Sequence, residues 1–147
     1  RYPEMLQGLI LFHSTPNADT DAKKDLIASL FAPKGFAEAN RKRLRGRIEQ
    51  LQELISSTDD DGIVALLNGM IGRSDMNDML HGLKVPQLFI FGRMDEFIPV
   101  ERAEALVAAH PQAEAAWLDH SGHMGFFEEP EAAAEIIRGF IDRHAAC

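Results

Sequence analysis

The chain has 147 residues, 46% of them hydrophobic, which falls within the range of one globular domain able to build a packed core. With 15 Lys and Arg against 23 Asp and Glu the formal net charge is −8, a field that repels polyanions and excludes nucleic acid as the expected partner. The single cysteine, Cys147, is the last residue, so an intrachain disulfide and a cysteine metal cluster are excluded and a reducing, cytoplasmic setting is expected.

The first predicted element is a buried strand over 8–12, Gly8-Leu-Ile-Leu-Phe12, ended by the turn formers His13-Ser-Thr-Pro16-Asn-Ala-Asp19. From Asp21 to about Ser57 apolar residues recur at helical spacing, Leu26, Ile27, Leu30 and Phe31, then Leu44, Ile48, Leu51 and Ile55, with a break at Pro33 and Gly35. A further helix is predicted over Asp60 to Ile71, with Ile63, Leu66, Leu67 and Met70 on one face, and a short one over Ser74 to His81. This helical stretch also holds Arg41, Lys42, Arg43, Arg45 and Arg47, read as a solvated helix face.

After Val85-Pro86, the run Gln87-Leu-Phe-Ile-Phe-Gly92 predicts a second buried strand, and Val100 to Ala109 a helix. Ala115 to Leu118 reads as a third strand, followed by the glycine-containing loop Asp119-His-Ser-Gly-His123-Met-Gly125. The last helix, Pro130 to His144, takes Pro at its first turn and is expected to turn Ala134, Ile137, Phe140 and Ile141 inward. The longest apolar stretches, 8–12 and 87–92, are far shorter than the roughly 20 residues that cross a bilayer, so no membrane partner is expected. Arg1 stands where a start Met would, and no leader pattern follows, so any targeting signal is expected outside this sequence.

Strands alternating with helices predict an α/β fold with a parallel sheet, whose ligands bind at the carboxyl ends of the strands. The loops to search are therefore those carrying Asp19, Asp95 and His123.

At these loops the sequence resembles the α/β-hydrolase family, in its C-terminal half. Lys84-Val-Pro-Gln-Leu-Phe-Ile-Phe-Gly92-Arg-Met-Asp95-Glu-Phe-Ile-Pro99 is similar to that family's seventh strand and acid loop. His120-Ser-Gly-His123-Met-Gly-Phe-Phe-Glu-Glu-Pro130-Glu is similar to the loop after its eighth strand, and Tyr2-Pro3 with 8–14 to the approach and sixth strand. The resemblance implies a partial α/β-hydrolase fold with an inserted all-helical cap: 1–20 core strand and loop, 21–82 helical cap, 83–147 C-terminal core with the acid and base loops.

The resemblance casts Asp95 as the acid and His123 as the base of a Ser-Asp-His-type triad, in the family's chain order. The chemistry needs that pair because a His takes a proton near neutral pH only when one ring nitrogen faces the donor. A carboxylate on the other nitrogen fixes the tautomer and stabilises the imidazolium. Gly122 and Gly125 suit a tight loop through glycine's backbone freedom. His13, Ser14, Met70, Met76, Phe97 and Met124 are candidate linings of the substrate pocket. Asp19 stands as a second candidate acid, against a helix-capping role. His13, His120 and His123 lack a Glu or Cys at a recognised ligand spacing, so neither metal nor cofactor is expected.

The family's nucleophile sits in a Gly-x-Ser-x-Gly elbow, and no pair of glycines in this chain is spaced four apart. Ser74 follows a helix and not a strand, and Ser121 reads as a loop hydrogen-bonder. The nucleophile is therefore expected outside this chain, with the isolated chain inactive. The implied activity is that of a carboxylic-ester hydrolase on a small, moderately apolar ester. Alternatives are a dehalogenase or epoxide hydrolase within the family, or a non-catalytic oligomerising or binding module. An open sheet edge predicts self-association or a requirement for the missing N-terminal half.

Overall fold

The computed structural model describes residues 8–12, 31–57 and 60–144. The readings made on Tyr2-Pro3, His13, Ser14, Asp19 and the helix before Phe31 lie outside these residues.

Three strands, β1 (Leu9–Phe12), β2 (Gln87–Gly92) and β3 (Glu114–Leu118), form one parallel sheet in chain order. Leu11 stands opposite Phe89, and Phe89 opposite Ala115. All six residues of β2 are buried. A strand covered on both faces has no reason to alternate apolar with polar, hence the continuous run Leu-Phe-Ile-Phe. Its alternate side chains enter two separate cores.

Phe89 and Phe91 point into one core with Leu80, Leu83, Ile98, Ala103 and Leu106. These come from α5 (Asn77–Gly82), α6 (Val100–Ala109) and the segments beside them. Leu88 and Ile90 point to the opposite face, against Leu118, Ala133 and Phe140. The last two belong to α8 (Pro130–His144). A third cluster is built on Phe36 and Ile48 with Leu44, Leu51, Met124 and Phe127. It joins α3 (Arg45–Ser57) and the turn before α2 (Glu38–Arg41) to α7 (Gly125–Glu128).

The strand over 87–92 and the helices over 60–71, 100–109 and 130–144 have the predicted bounds. Of the predicted break, Gly35 falls between α1 (Phe31–Lys34) and α2, whereas Pro33 lies within α1. β3 starts one residue earlier than predicted, at Glu114. The short helix before β2 starts at Asn77 and not at Ser74, because the Asp75 carboxylate accepts the Asn77 backbone N–H at 2.8 Å and turns the chain there.

The inner face of α8 is also corrected. Ala133 and Phe140 are buried with Ile136 and Ile137 partly so, whereas Ala134 is exposed and Ile141 is 52% exposed. Residues at i, i+3, i+4 and i+7 from Ala133 form the stripe that meets the sheet, and Ala134 and Ile141 lie just off it. On α4 (Asp60–Ile71) Leu66 is 65% exposed, contrary to its predicted place on a packed face. Ile55, at the end of α3, is exposed as well.

At the far end of α8, Arg143 and His144 each reach the Glu114 carboxylate at 2.5 Å and pin the helix to β3. The His144 hydrogen bond lowers the Glu114 carboxyl below its ordinary range; partial burial opposes this, and Arg143 adds to the lowering. Among the described residues no helix is long and apolar enough to cross a membrane.

Candidate active site

β2 and β3 run parallel, so the loops that follow them emerge on the same edge of the sheet. The loop after β2 carries Asp95, and the loop after β3 carries His123. The Arg93 backbone N–H bonds to the Leu118 carbonyl at 2.9 Å and that of Met94 to the Ser121 carbonyl at 2.9 Å, which ties the two loops together before either functional side chain is reached.

The Asp95 side chain is fully buried, and both of its oxygens are committed. Oδ1 accepts the backbone N–H groups of Phe97 and Ile98 at 2.8 and 3.0 Å, and Oδ2 meets His123 Nδ1 at 2.8 Å. Three donors thus satisfy a carboxylate that burial alone would make costly. Oδ1 fixes the orientation of the carboxylate, and Oδ2 fixes the imidazole. The His123 side chain is about one-third exposed, and Phe97 meets its ring edge-on at 5.2 Å.

Two glycines bring the loops this close. A Cβ on Gly92 would stand 2.2 Å from the Gly122 carbonyl oxygen and 2.4 Å from that of Ser121, so the base loop lies directly on the last residue of β2. A Cβ on Gly122 would stand 2.7 Å from the Ala37 backbone nitrogen. Gly122 adopts no left-handed φ; close approach of two backbones, not the conformational freedom expected of it, calls for glycine there.

The helical segment holds the base loop from the other side. The backbone N–H groups of His123 and Met124 both donate to the Gly35 carbonyl, at 2.8 and 3.0 Å. Sequence reasoning gave no role to Glu128, which is buried to 3% exposure at the end of α7. Its Oε1 accepts the Gly122 N–H at 2.8 Å, and its Oε2 accepts the Ala37 N–H at 2.9 Å and the Asn40 side-chain amide at 2.8 Å. Glu129, its neighbour, accepts from the His120 N–H at 2.9 Å and the Ser121 hydroxyl at 2.5 Å, so Ser121 is the loop hydrogen-bonder its position predicted.

Of the basic run, Lys42, Arg43, Arg45 and Arg47 are exposed, as a solvated face requires, and Arg41 is half-buried. Arg45 stands in solvent paired with Glu49 at 2.7 Å. Arg41 reaches Glu96 in the acid loop at 2.8 Å, Arg43 donates to the Glu128 carbonyl at 2.8 Å, and Arg47 lies over the Phe127 ring at 5.6 Å. Of the proposed pocket residues, Phe97 touches His123 and Met124 packs into the cluster of Phe36 and Ile48. Met70 is half-buried on α4, and Met76 is exposed in the segment before α5.

Solved structures share this fold. A thermophilic esterase from Thermogutta terrifontis superposes with a TM-score of 0.86 at 27% identity, over 98% of this chain and 59% of that one. This chain carries the C-terminal part of an α/β-hydrolase fold. The enol-lactonase of Burkholderia xenovorans LB400 shares the hydrolase fold at a TM-score of 0.79 and 17% identity, over 97% of this chain and 58% of that one.

By sequence, this α/β-hydrolase chain is 28% identical over 99 residues to the pimeloyl-(acyl-carrier protein) methyl ester esterase of Xanthomonas campestris pv. campestris. It is 31% identical over 101 residues to that of Vibrio cholerae. The alignments cover 66% and 67% of this chain, and the chain spans only about two-fifths of these relatives, 39% and 40%. No family model matches the chain.

Proposed function

We propose that this chain supplies the acid and the base of a carboxylic-ester hydrolase, Asp95 and His123, to a nucleophile on a segment outside the 147 residues. The 2.8 Å contact between Asp95 Oδ2 and His123 Nδ1, at the carboxyl ends of adjacent parallel strands, carries this reading. With Nδ1 committed to Asp95, Nε2 is the nitrogen that handles the reacting proton. It takes the proton from the nucleophile as that attacks the ester carbonyl and returns it to the departing alcohol. It then draws a proton from the water that hydrolyses the acyl-enzyme and gives it back to the nucleophile as the acid product departs.

Asp95 stays ionised and stabilises the imidazolium at each stage. Residues 21–82 serve as the cap over this centre, and a small, moderately apolar ester is the substrate class that a cap rich in Leu, Ile and Met favours. Support comes from the ester-cleaving names of the relatives and from the lack of a Gly-x-Ser-x-Gly motif in the chain.

The test is to fuse the chain to the part of the Thermogutta terrifontis esterase that it does not cover, and to assay hydrolysis of short p-nitrophenyl esters. Turnover by the fusion, lost in His123→Ala, is expected. A folded fusion whose turnover survives that substitution contradicts the reading, and a folded fusion with no turnover favours a non-catalytic module.

A further inference from the structure

We infer that Glu128 is a positioning residue for His123, required as an ionised carboxylate and acting through the backbone of the base loop. This rests on the hydrolase reading for its purpose but not for its geometry. Glu128 is nearly fully buried, yet all three of its side-chain partners are donors: the N–H groups of Gly122 and Ala37 and the Asn40 amide. Only a group that accepts on both oxygens fits such a set. An ionised carboxylate does so, whereas a glutamine of the same shape must turn its NH2 toward another N–H.

The bond to Gly122 lies one residue before the base. Beyond it, the His123 and Met124 N–H groups are both taken by the Gly35 carbonyl, so three successive amides of the loop point at fixed acceptors. On the other side, the Asn40 amide also donates to the His120 carbonyl at 2.6 Å. Glu128 thereby closes a bracket around 120–124. The bracket presses the loop onto the 35–37 turn on one side and Gly92 on the other, where it presents Nδ1 to Asp95. Asp95 sets the imidazole's tautomer, and Glu128 sets the backbone from which the imidazole is hung.

The tautomer of His123 reports this without any turnover. In the 15N-labelled chain the imidazole signals are assigned by their loss in His123→Ala and read for the ratio of Nδ1–H to Nε2–H forms. Wild type is expected to favour Nδ1–H, and Glu128→Gln to lower that ratio by about tenfold while the amide signals of Phe89 and Ile90 in the central strand stay in place.

Asn40→Asp, at a half-buried position, exchanges a donor to Oε2 for an acceptor and is expected to move the ratio the same way if Glu128→Gln does not fold. A wild-type ratio in a folded variant overturns the positioning role. A shifted ratio in a chain that supports no ester hydrolysis, alone or fused, overturns the hydrolase reading alone.

Discussion

Gly92 and Gly122 are in such close backbone contact that a single methyl on the first would stand 2.2 Å from the carbonyl oxygen of the second. The end of the central strand is thus also the seat of the base loop. Because the obstructing atoms are backbone, Gly92→Ala cannot be absorbed by a side-chain rotation. The variant is expected to lose about 3 kcal/mol of unfolding free energy, the upper end of overpacking costs, and to move His123 away from Asp95. Urea unfolding measures the first effect and the His123 tautomer ratio the second; wild-type values of both would show that the loop has room.

Glu114 predicts a pH dependence. Its folded-state carboxyl is lowered chiefly by the His144 hydrogen bond, so ionised Glu114 stabilises the folded chain above the unfolded carboxyl's value near 4.5. That contribution is lost as pH falls through the lower folded value. Glu114→Gln is therefore expected to be less stable than wild type at neutral pH and to converge with it as pH falls through the lowered folded-state value. The difference stays below about 1 kcal/mol because the group is 38% exposed and screened by solvent. Thermal melts at neutral and progressively lower pH measure it, and a constant gap between the variants would contradict the assignment.

The edges of the sheet predict self-association. β1 pairs with β2 on one side, and among the described residues no strand lies on its other side, while Leu54 and Leu66 are more than half exposed on the helices. An open strand edge beside apolar surface favours association. The isolated chain is expected to sediment as a dimer or larger species and the fusion as a smaller assembly; a monomer that melts cooperatively in isolation would contradict this.

How legible this was from the sequence varied with the kind of signal. β2 was readable because burial on both faces leaves an uninterrupted apolar run from Leu88 to Gly92. The helix after it was bounded by Pro99 and Pro111. Position after a strand singled out the loops, but Asp95 and His123 were chosen within them by the resemblance to the hydrolase acid and base loops; their side chains are in contact.

Glu128 was not readable, since nothing local distinguishes a buried acid from a solvated one. Its partners Ala37 and Asn40 are about ninety residues away. Nor were the inner face of α8 or the exposure of Leu66, because apolar residues on adjacent stripes give nearly the same helical period. The close approach at Gly92 and Gly122 likewise depends on which segments meet, information that a turn-former count does not contain.

On the proposed function, Asp95 holds His123 in the tautomer that ester hydrolysis needs. The most direct test is kcat of the esterase fusion on a p-nitrophenyl ester with Asp95→Asn, whose amide keeps the shape but can donate to Nδ1. The prediction is a fall in kcat of about 10³–10⁴ with KM little changed. A fall of less than about tenfold, with the fold intact, would contradict it.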